Sequence, residues 1–171
     1  MNERVDNPNR VKTGIRLAAA SDASRLAELR YAFRSGTGGS VSEDEAEFVR
    51  RCSLWMEERL GRGSLWRCWI AERDEAAMGH LWVQLIEKIP NPTSEPEYHA
   101  YLTNFYVREQ ARGQGIGSLL LSAALDWCKA LDVHAAILWP TERSRSLYLR
   151  HGFDVRADLL ELHVKDVREG L

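Results

Sequence analysis

The run "REQARGQGIGSLLL", Arg108 to Leu121, constrains the fold of this chain more than any other stretch. An apolar segment, "YLTNFYV", leads into it and a second, "IGSLLLSAAL", leads out. Gly113, Gly115 and Gly117 crowd the turn between the two. Glycine lets a backbone bend tightly and approach a ligand closely. A helix that starts there presents unpaired N–H groups and the positive end of its dipole. The pattern predicts a strand, an anion-binding turn and a helix in succession.

Three phosphate cradles compete for such a turn. A Walker loop needs G-x-x-x-x-G-K-[ST], and no such lysine follows. A dinucleotide fingerprint needs G-x-G-x-x-G after the first strand of a parallel sheet, whereas this turn reads G-x-G-x-G and follows an apparent hairpin. The third is the pyrophosphate of coenzyme A, for which Gln110-Ala-Arg-Gly113-Gln-Gly115 fits Q/R-x-x-G-x-G/A, with Arg112 adding a charge-assisted donor. A plain left-handed turn with a solvated arginine is the bland account.

The rest of the chain supplies a frame around this unit. "GIRLAAA" reads as a strand over Ile15 to Ala19, and "SDASRLAELRYAF" as a helix capped by Ser21 or Asp22 with Leu26, Leu29 and Phe33 on one face. "SEDE", Ser42 to Glu45, matches a capping box for a second helix with Phe48, Cys52, Trp55 and Met56 inward. "SLWRCWIAER" and "AAMGHLWVQLIEKI" make a hairpin turning at Asp74-Glu75, with Gly79 as a bulge candidate. After the proline-rich loop "PNPTSEPE" come the strand "YHAYLTNFYV", the glycine turn, and a helix with Ile116, Leu120, Ala123, Trp127 and Leu131 on one side. "HAAILWP", "TERSRSLYLRHG" and "FDVRADLLELHV" read as strand, helix and one or two final strands.

With 171 residues the chain has length for one domain and its core. Residues 1–13 read as a disordered tail and 14–171 as the domain. A formal net charge of −2 gives no electrostatic case for nucleic acid, and no apolar run is long enough to span a bilayer. Cys52, Cys68 and Cys128 are odd in number and widely spaced, which fits reduced thiols in a cytoplasmic protein better than a disulfide framework or a metal site. The polar start "MNERVDNPNRVKTG" is not a secretory signal.

Two blocks together resemble the GNAT (Gcn5-related) N-acetyltransferase family. "YLTNFYVREQARGQGIGSLLL" resembles its acetyl-CoA motif, and "WPTERSRSLYLRHGF" its later strand-helix block, with Thr141 where asparagine is frequent and Ser144, Tyr148 and Gly152-Phe153 in register. The element order matches from Ile15 to Val164. The resemblance implies an α/β fold of mixed type, a mostly antiparallel sheet of six or seven strands splayed at a central parallel pair, and about four flanking helices.

The resemblance also implies roles. Backbone groups of Phe105, Tyr106 and Val107 would meet the pantetheine arm and acetyl carbonyl of acetyl-CoA, with the Val107 N–H a candidate oxyanion donor. Arg112, Gly113, Gln114, Gly115, Ile116, Gly117 and Ser118 would hold the pyrophosphate, with Thr141 and Ser144 flanking the cofactor. Tyr148 would protonate the thiolate leaving group, and Asn104 would orient a water or the amine. No metal is implied. The acceptor is a primary amine of a small molecule, peptide or protein, attacking the thioester directly.

Some relatives carry an acid near the positions of Thr103 and Asn104, and this chain carries none there. Glu72, His80 and His99 are the candidate bases, and Tyr101 a candidate for ordering water. The stretch "RYAFRSGTGGSVSEDEAEF", with Glu43, Asp44, Glu45 and Glu47, is the candidate acceptor-recognition segment, its acids serving equally as helix caps. Trp66, Trp69 and Trp82 either line a pocket or fill the core. One of Arg143, Arg145 and Arg150 could meet the 3′-phosphate of the cofactor. Two rival functions remain, a non-catalytic acyl-CoA-binding module and a nicotinamide-dependent oxidoreductase. "LLELHV" could pair across a homodimer.

Overall fold

The computed structural model describes residues 12–36 and 41–162. The tail expected over residues 1–13 lies outside the described residues up to position 11, and so does the loop centre at 37–40. Thr13 is tied down: its Oγ1 accepts from Arg73 Nε at 3.2 Å and Nη2 at 2.9 Å.

The elements run β1 (Gly14–Leu17), α1 (Ala23–Ser35), α2 (Glu45–Arg59), β2 (Trp66–Arg73), β3 (Ala76–Glu87), β4 (Tyr98–Val107), α3 (Ile116–Ala130), β5 (Ala135–Ile137) and α4 (Glu142–Arg150). The chain divides after Trp139 into two compact units. The first holds one sheet in the order β1-β2-β3-β4-β5 with α1, α2 and α3, and the second holds α4. β1 to β4 are antiparallel neighbours, and β5 lies parallel to β4.

The mixed α/β architecture is the expected one, with two corrections. Five strands, not six or seven, are formed among the described residues, so the parallel pair stands at the sheet edge rather than at its centre. Residues 153–162 form no ladder. Leu159, Leu160 and Leu162 stand exposed, and Arg156 pairs locally with Asp158. Apolar alternation makes a strand only where a neighbour covers one face. The segment proposed for homodimer pairing, "LLELHV", is thus not a strand through Leu162, and its last two residues lie outside the described ones.

Alternation along the strands builds two cores. Cys68, Ile70, Trp82 and Tyr106 pack with Leu26, Ala27, Leu29 and Met56 of α1 and α2. Trp69, adjacent to Cys68 and therefore on the opposite face, meets Trp127 of α3 edge-on at 5.4 Å. Trp69 and Trp82 are core residues, while Trp66 lies edge-on to Trp55 of α2 at 5.2 Å. The buried face of α3 is Ile116, Leu120, Leu121, Ala124 and Cys128. Leu131, expected on it, follows the last turn and is exposed, because a repeat counted in fours drifts from a helix of 3.6 residues per turn.

Both expected caps are displaced. Asp22 occupies the N-cap position of α1, but its carboxylate turns backward. Oδ2 accepts from the Ala19 N–H at 2.8 Å, and Arg16 grips both oxygens at 2.7 and 2.8 Å. In α2 the cap is Asp44, not Ser42: Oδ1 accepts from the Ala46 and Glu47 N–H groups at 3.0 and 3.3 Å. Glu43 instead pairs with Arg51 at 2.6 Å. These acids do the work of capping and pairing at the start of α2.

Gly79 faces Val107 across β3 and β4 beside an unmatched residue, Met78, in β3. A Cβ there would sit 2.6 Å from the Tyr106 carbonyl oxygen and 3.2 Å from Val107 Cα, both backbone atoms. Gly79→Ala therefore forces the two strands apart. A loss of roughly 1–3 kcal/mol is expected in urea unfolding, and an unchanged midpoint would contradict this close approach.

Candidate active site

β4 is paired on one edge and largely bare on the other. Its edge toward β3 is followed from Tyr98 to Val107, but its parallel ladder with β5 has only three rungs, ending at Tyr101 opposite Ile137. From Leu102 to Val107 the second edge has no strand beside it among the described residues. An edge without a ladder is where an amide-bearing ligand can lie alongside as a further strand.

The same stretch carries a bulge. His80 lies opposite Tyr106, yet Trp82 lies opposite Thr103, so Leu81 alone spans both Asn104 and Phe105. Asn104 adopts φ +47°, a left-handed conformation that a short amide side chain tolerates. Its Oδ1 accepts from Arg30 Nη1 on α1 at 3.1 Å. Tyr106, buried beyond the bulge, has the Phe33 ring at 5.4 Å and the Arg112 guanidinium over its own ring at 5.8 Å.

The turn after β4 is shaped by its glycines. Gly113 has φ +73° and Gly115, the N-cap of α3, has φ +82°. A Cβ on either would meet nothing within 4 Å, so the backbone angle and not crowding demands glycine. The first bond of α3 runs from the Leu119 N–H to the Gly115 carbonyl at 3.1 Å, which leaves the Ile116 and Gly117 N–H groups ahead of the helical ladder. Gln114 is braced, its Oε1 accepting from Arg73 at 2.8 Å and its Nε2 donating to the Gln110 carbonyl at 3.0 Å. Arg112 is turned inward: Nε donates to the Val107 carbonyl at 3.0 Å and Nη1 meets Glu109 at 2.8 Å. The backbone, not this side chain, is the part of the turn left open.

In the second unit Thr141 and Ser144 cap α4 reciprocally. Thr141 Oγ1 accepts from the Ser144 N–H at 3.3 Å and Ser144 Oγ from the Thr141 N–H at 3.0 Å. Tyr148 is buried, edge-on to Phe153 at 5.6 Å, and its carbonyl accepts from the His151 and Phe153 N–H groups. Burial pushes its phenol up to about 12, against a pull from a Ser144 hydrogen bond, so it stays protonated at neutral pH. Arg143, Arg145 and Arg150 are exposed along the same helix.

The candidate bases separate. Glu72 is bound into an ion-pair network, with Arg16 at 2.7 Å and Arg25 at 2.7 Å, and these partners hold its carboxyl below the usual range. His99 sits on the first rung of the parallel ladder against His134 at 5.0 Å, away from the bulge. Tyr101, on the last rung, meets Trp139 edge-on at 5.2 Å. His80 alone adjoins the bulge. It is completely buried, and neither ring nitrogen has a hydrogen bond of ordinary geometry, although Asn104 lies close enough to favour the protonated ring. Burial, the larger effect, pushes it down to about 4, so the imidazole is neutral at pH 7. Arg30, a neighbour of this cluster, was not singled out from sequence; the signal was a cation between Leu26 and Phe33 on an apolar helix face.

Among the described residues no group of three or more His, Cys, Asp or Glu side chains could hold a metal, and no helix is long and apolar enough to cross a membrane.

The sequence model of the Acetyltransferase (GNAT) family matches residues 27–153, and the chain belongs to that family. Among solved structures it is similar to a predicted acetyltransferase of Clostridium acetobutylicum crystallised with acetyl-CoA, at 24% identity over 90% of this chain and 97% of that one, with a TM-score of 0.74. It is also similar to a glucosamine-6-phosphate N-acetyltransferase of Arabidopsis thaliana, at 18% identity over 89% and 98% of the two chains, TM-score 0.66. A third likeness is to a ribosomal-protein-alanine N-acetyltransferase of Brucella melitensis biovar Abortus 2308, at 17% identity over 88% and 96%, TM-score 0.62. Among curated proteins no sequence matches.

The neutral His80 makes stability depend on pH in a defined window. Unfolded, the ring takes a proton near 6.5; folded, it resists until about 4. The unfolded state therefore binds more protons between these values, and stability falls as pH drops through them, by up to about 3 kcal/mol. The depressed carboxyls of Asp22 and Glu72 add their own loss only below the ordinary carboxylate range. His80→Gln should flatten the stability profile between pH 6.5 and 4 in urea titrations, and a slope identical to the wild type would refute a buried neutral ring.

Proposed function

We propose that the protein transfers the acetyl group of acetyl-CoA to a primary amine by direct attack. The observation that carries the reading is the bare β4 edge from Leu102 to Val107 running straight into a turn with two left-handed glycines and an open helix start, in a member of the acetyltransferase family. Acetyl-CoA bound to a relative of the same fold adds support.

In this reading the N–H groups from Gly113 to Gly117 hold the pyrophosphate, with Arg112 before them and Ser118 after, because converging amides and the helix dipole favour an anion. Phe105, Tyr106 and Val107 offer backbone groups to the pantetheine amides, and the Val107 N–H stabilises the developing oxyanion. Thr141 and Ser144 fix the start of α4 and with it Tyr148. The acceptor arrives as an ammonium and gives up one proton before attack. An N–C bond then forms and the C–S bond breaks. The departing sulfur takes the Tyr148 proton, and the nitrogen loses its second proton, so one proton is released overall. Neutral His80 and the Asn104 amide stand ready to receive and orient the ammonium.

Tyr148→Phe keeps the ring against Phe153 and removes only the hydroxyl. A fall in kcat on the order of 10²-fold is expected, with the KM for acetyl-CoA little changed, followed by thiol release with a panel of amines. Acetyl-CoA binding without turnover by the wild type on any amine would favour a non-catalytic acyl-CoA-binding module instead. Calorimetric binding of a nicotinamide dinucleotide in place of acetyl-CoA would defeat both.

A further inference from the structure

Arg30 is the feature that acetyl transfer leaves unexplained. It lies on the inward side of α1, four residues after Leu26 and three before Phe33. Its guanidinium is partly withdrawn from water, rests over the Phe33 ring at 5.7 Å, and donates to the neutral Asn104 oxygen at 3.1 Å. Arg16, Arg25, Arg51, Arg59, Arg112 and Arg156 all pair with a carboxylate. Among the described residues no carboxylate lies within ion-pair distance of Arg30, and the nearby cation Arg34 disfavours its charge.

A partly desolvated cation without an anion is a costly arrangement, and a single amide oxygen satisfies only one of five guanidinium donors. Beside it lies a second unsatisfied group. His80 is completely buried against the same Asn104, and neither ring nitrogen has a hydrogen bond of ordinary geometry. The two groups want opposite things. Arg30 offers fixed donors to an anion, and a neutral imidazole offers a lone pair to an ammonium N–H. Both converge on Asn104, at the bulge beside the bare edge of β4.

Resting on the acetyl-transfer reading, we propose that the acceptor is a small amine carrying a carboxylate or phosphate within a few bonds of its nitrogen, the anion seated on Arg30 and the nitrogen directed to His80 and Asn104. Arg30 is on this view a specificity residue. It governs acceptor choice and has no part in holding acetyl-CoA. Phosphate and carboxylate share the chemistry, since a guanidinium fork pairs with either in two parallel hydrogen bonds.

The test uses the full chain, acetyl-CoA and matched acceptors differing only in the anion. One arm compares α- and β-amino acids with their carboxamides, and a second compares phosphoethanolamine with ethanolamine. A diamine serves as the cationic control. The wild type is expected to prefer the anionic member of at least one pair by about tenfold or more in kcat/KM, and the arm that responds identifies the anion. Arg30→Gln should bring that pair near parity by raising the acceptor KM, with the KM for acetyl-CoA unmoved. Arg30→Lys, which keeps the charge but loses the fork, should retain only part of the preference and also serves if the glutamine variant folds poorly by circular dichroism. Parity in the wild type, preference for the neutral or cationic member, or a preference that survives Arg30→Gln would each overturn the proposal while leaving acetyl transfer standing. Failure of acetyl-CoA to bind at all, or binding with no turnover on any acceptor, would remove both.

Discussion

One strand, paired unevenly, sets the geometry of this molecule. β4 follows β3 along its whole length but touches β5 at only three rungs. A strand cannot leave main-chain donors and acceptors bare in a buried setting without cost, so the open stretch after Tyr101 is stable only where solvent or a ligand completes it. The turn and α3 follow from the end of that stretch, and the Ile116 and Gly117 N–H groups lie ahead of the helical ladder there. Gly79 serves the same end from the other side. Its missing Cβ lets β3 approach the Tyr106 carbonyl and Val107, at the far end of the stretch where β4 has no second neighbour among the described residues.

Holding that geometry requires a rigid opposite side, and charge supplies part of it. Arg16 on β1 grips both oxygens of buried Asp22 and both oxygens of Glu72 on β2, while Arg25 of α1 reaches Glu72 and the Glu75 carbonyl. Glu75 and Asp74 turn the β2–β3 hairpin with positive φ at both central residues, a conformation matched to strand twist but strained for non-glycine side chains. Anchoring the Glu75 carbonyl from α1 offsets some of that strain. The network ties β1, α1 and the hairpin together, and it removes Glu72 from consideration as a base.

What the sequence disclosed depended on how local the signal was. The glycine turn was legible because left-handed backbone is written in residue type, and α1, α3 and the hairpin because their apolar periods differ. The cap of α2 was misplaced by two residues because Ser42, Asp44 and their acidic neighbours all carry capping chemistry, and only the backbone at Asp44 decides which one is used. The bulge was hidden: nothing in "YLTNFYV" marks Asn104 as the extra residue, since a bulge is a property of two strands in register rather than of one. The expected final strand is not formed through Leu162, for a related reason. "LLELHV" has strand composition, but composition does not supply a neighbour. Arg30 lay in a stretch already marked for acceptor recognition, yet its meaning needed Asn104 and His80, distant in sequence, to come beside it.

Three local conflicts of the first unit lie together. The positive φ of Asn104 itself, a buried histidine with no hydrogen bond of ordinary geometry and an arginine with no carboxylate partner among the described residues all meet at Asn104. By contrast Arg16 and Arg25 share Asp22 and Glu72, and Arg51 pairs with Glu43. Each conflict alone has a local cost of order 1–3 kcal/mol, and natural chains keep such costs where a ligand repays them. The three could not be relieved separately. An acid to match Arg30 would sit beside the bulge and raise the His80 ring toward its protonated form, which removes the lone pair an ammonium needs. Leaving the anion to the substrate keeps the imidazole neutral until the acceptor arrives, and lets the substrate's own negative charge favour proton uptake by the ring at that moment. The absence of an acid at Thr103 and Asn104 then reads as a consistent part of the site rather than as a gap in it.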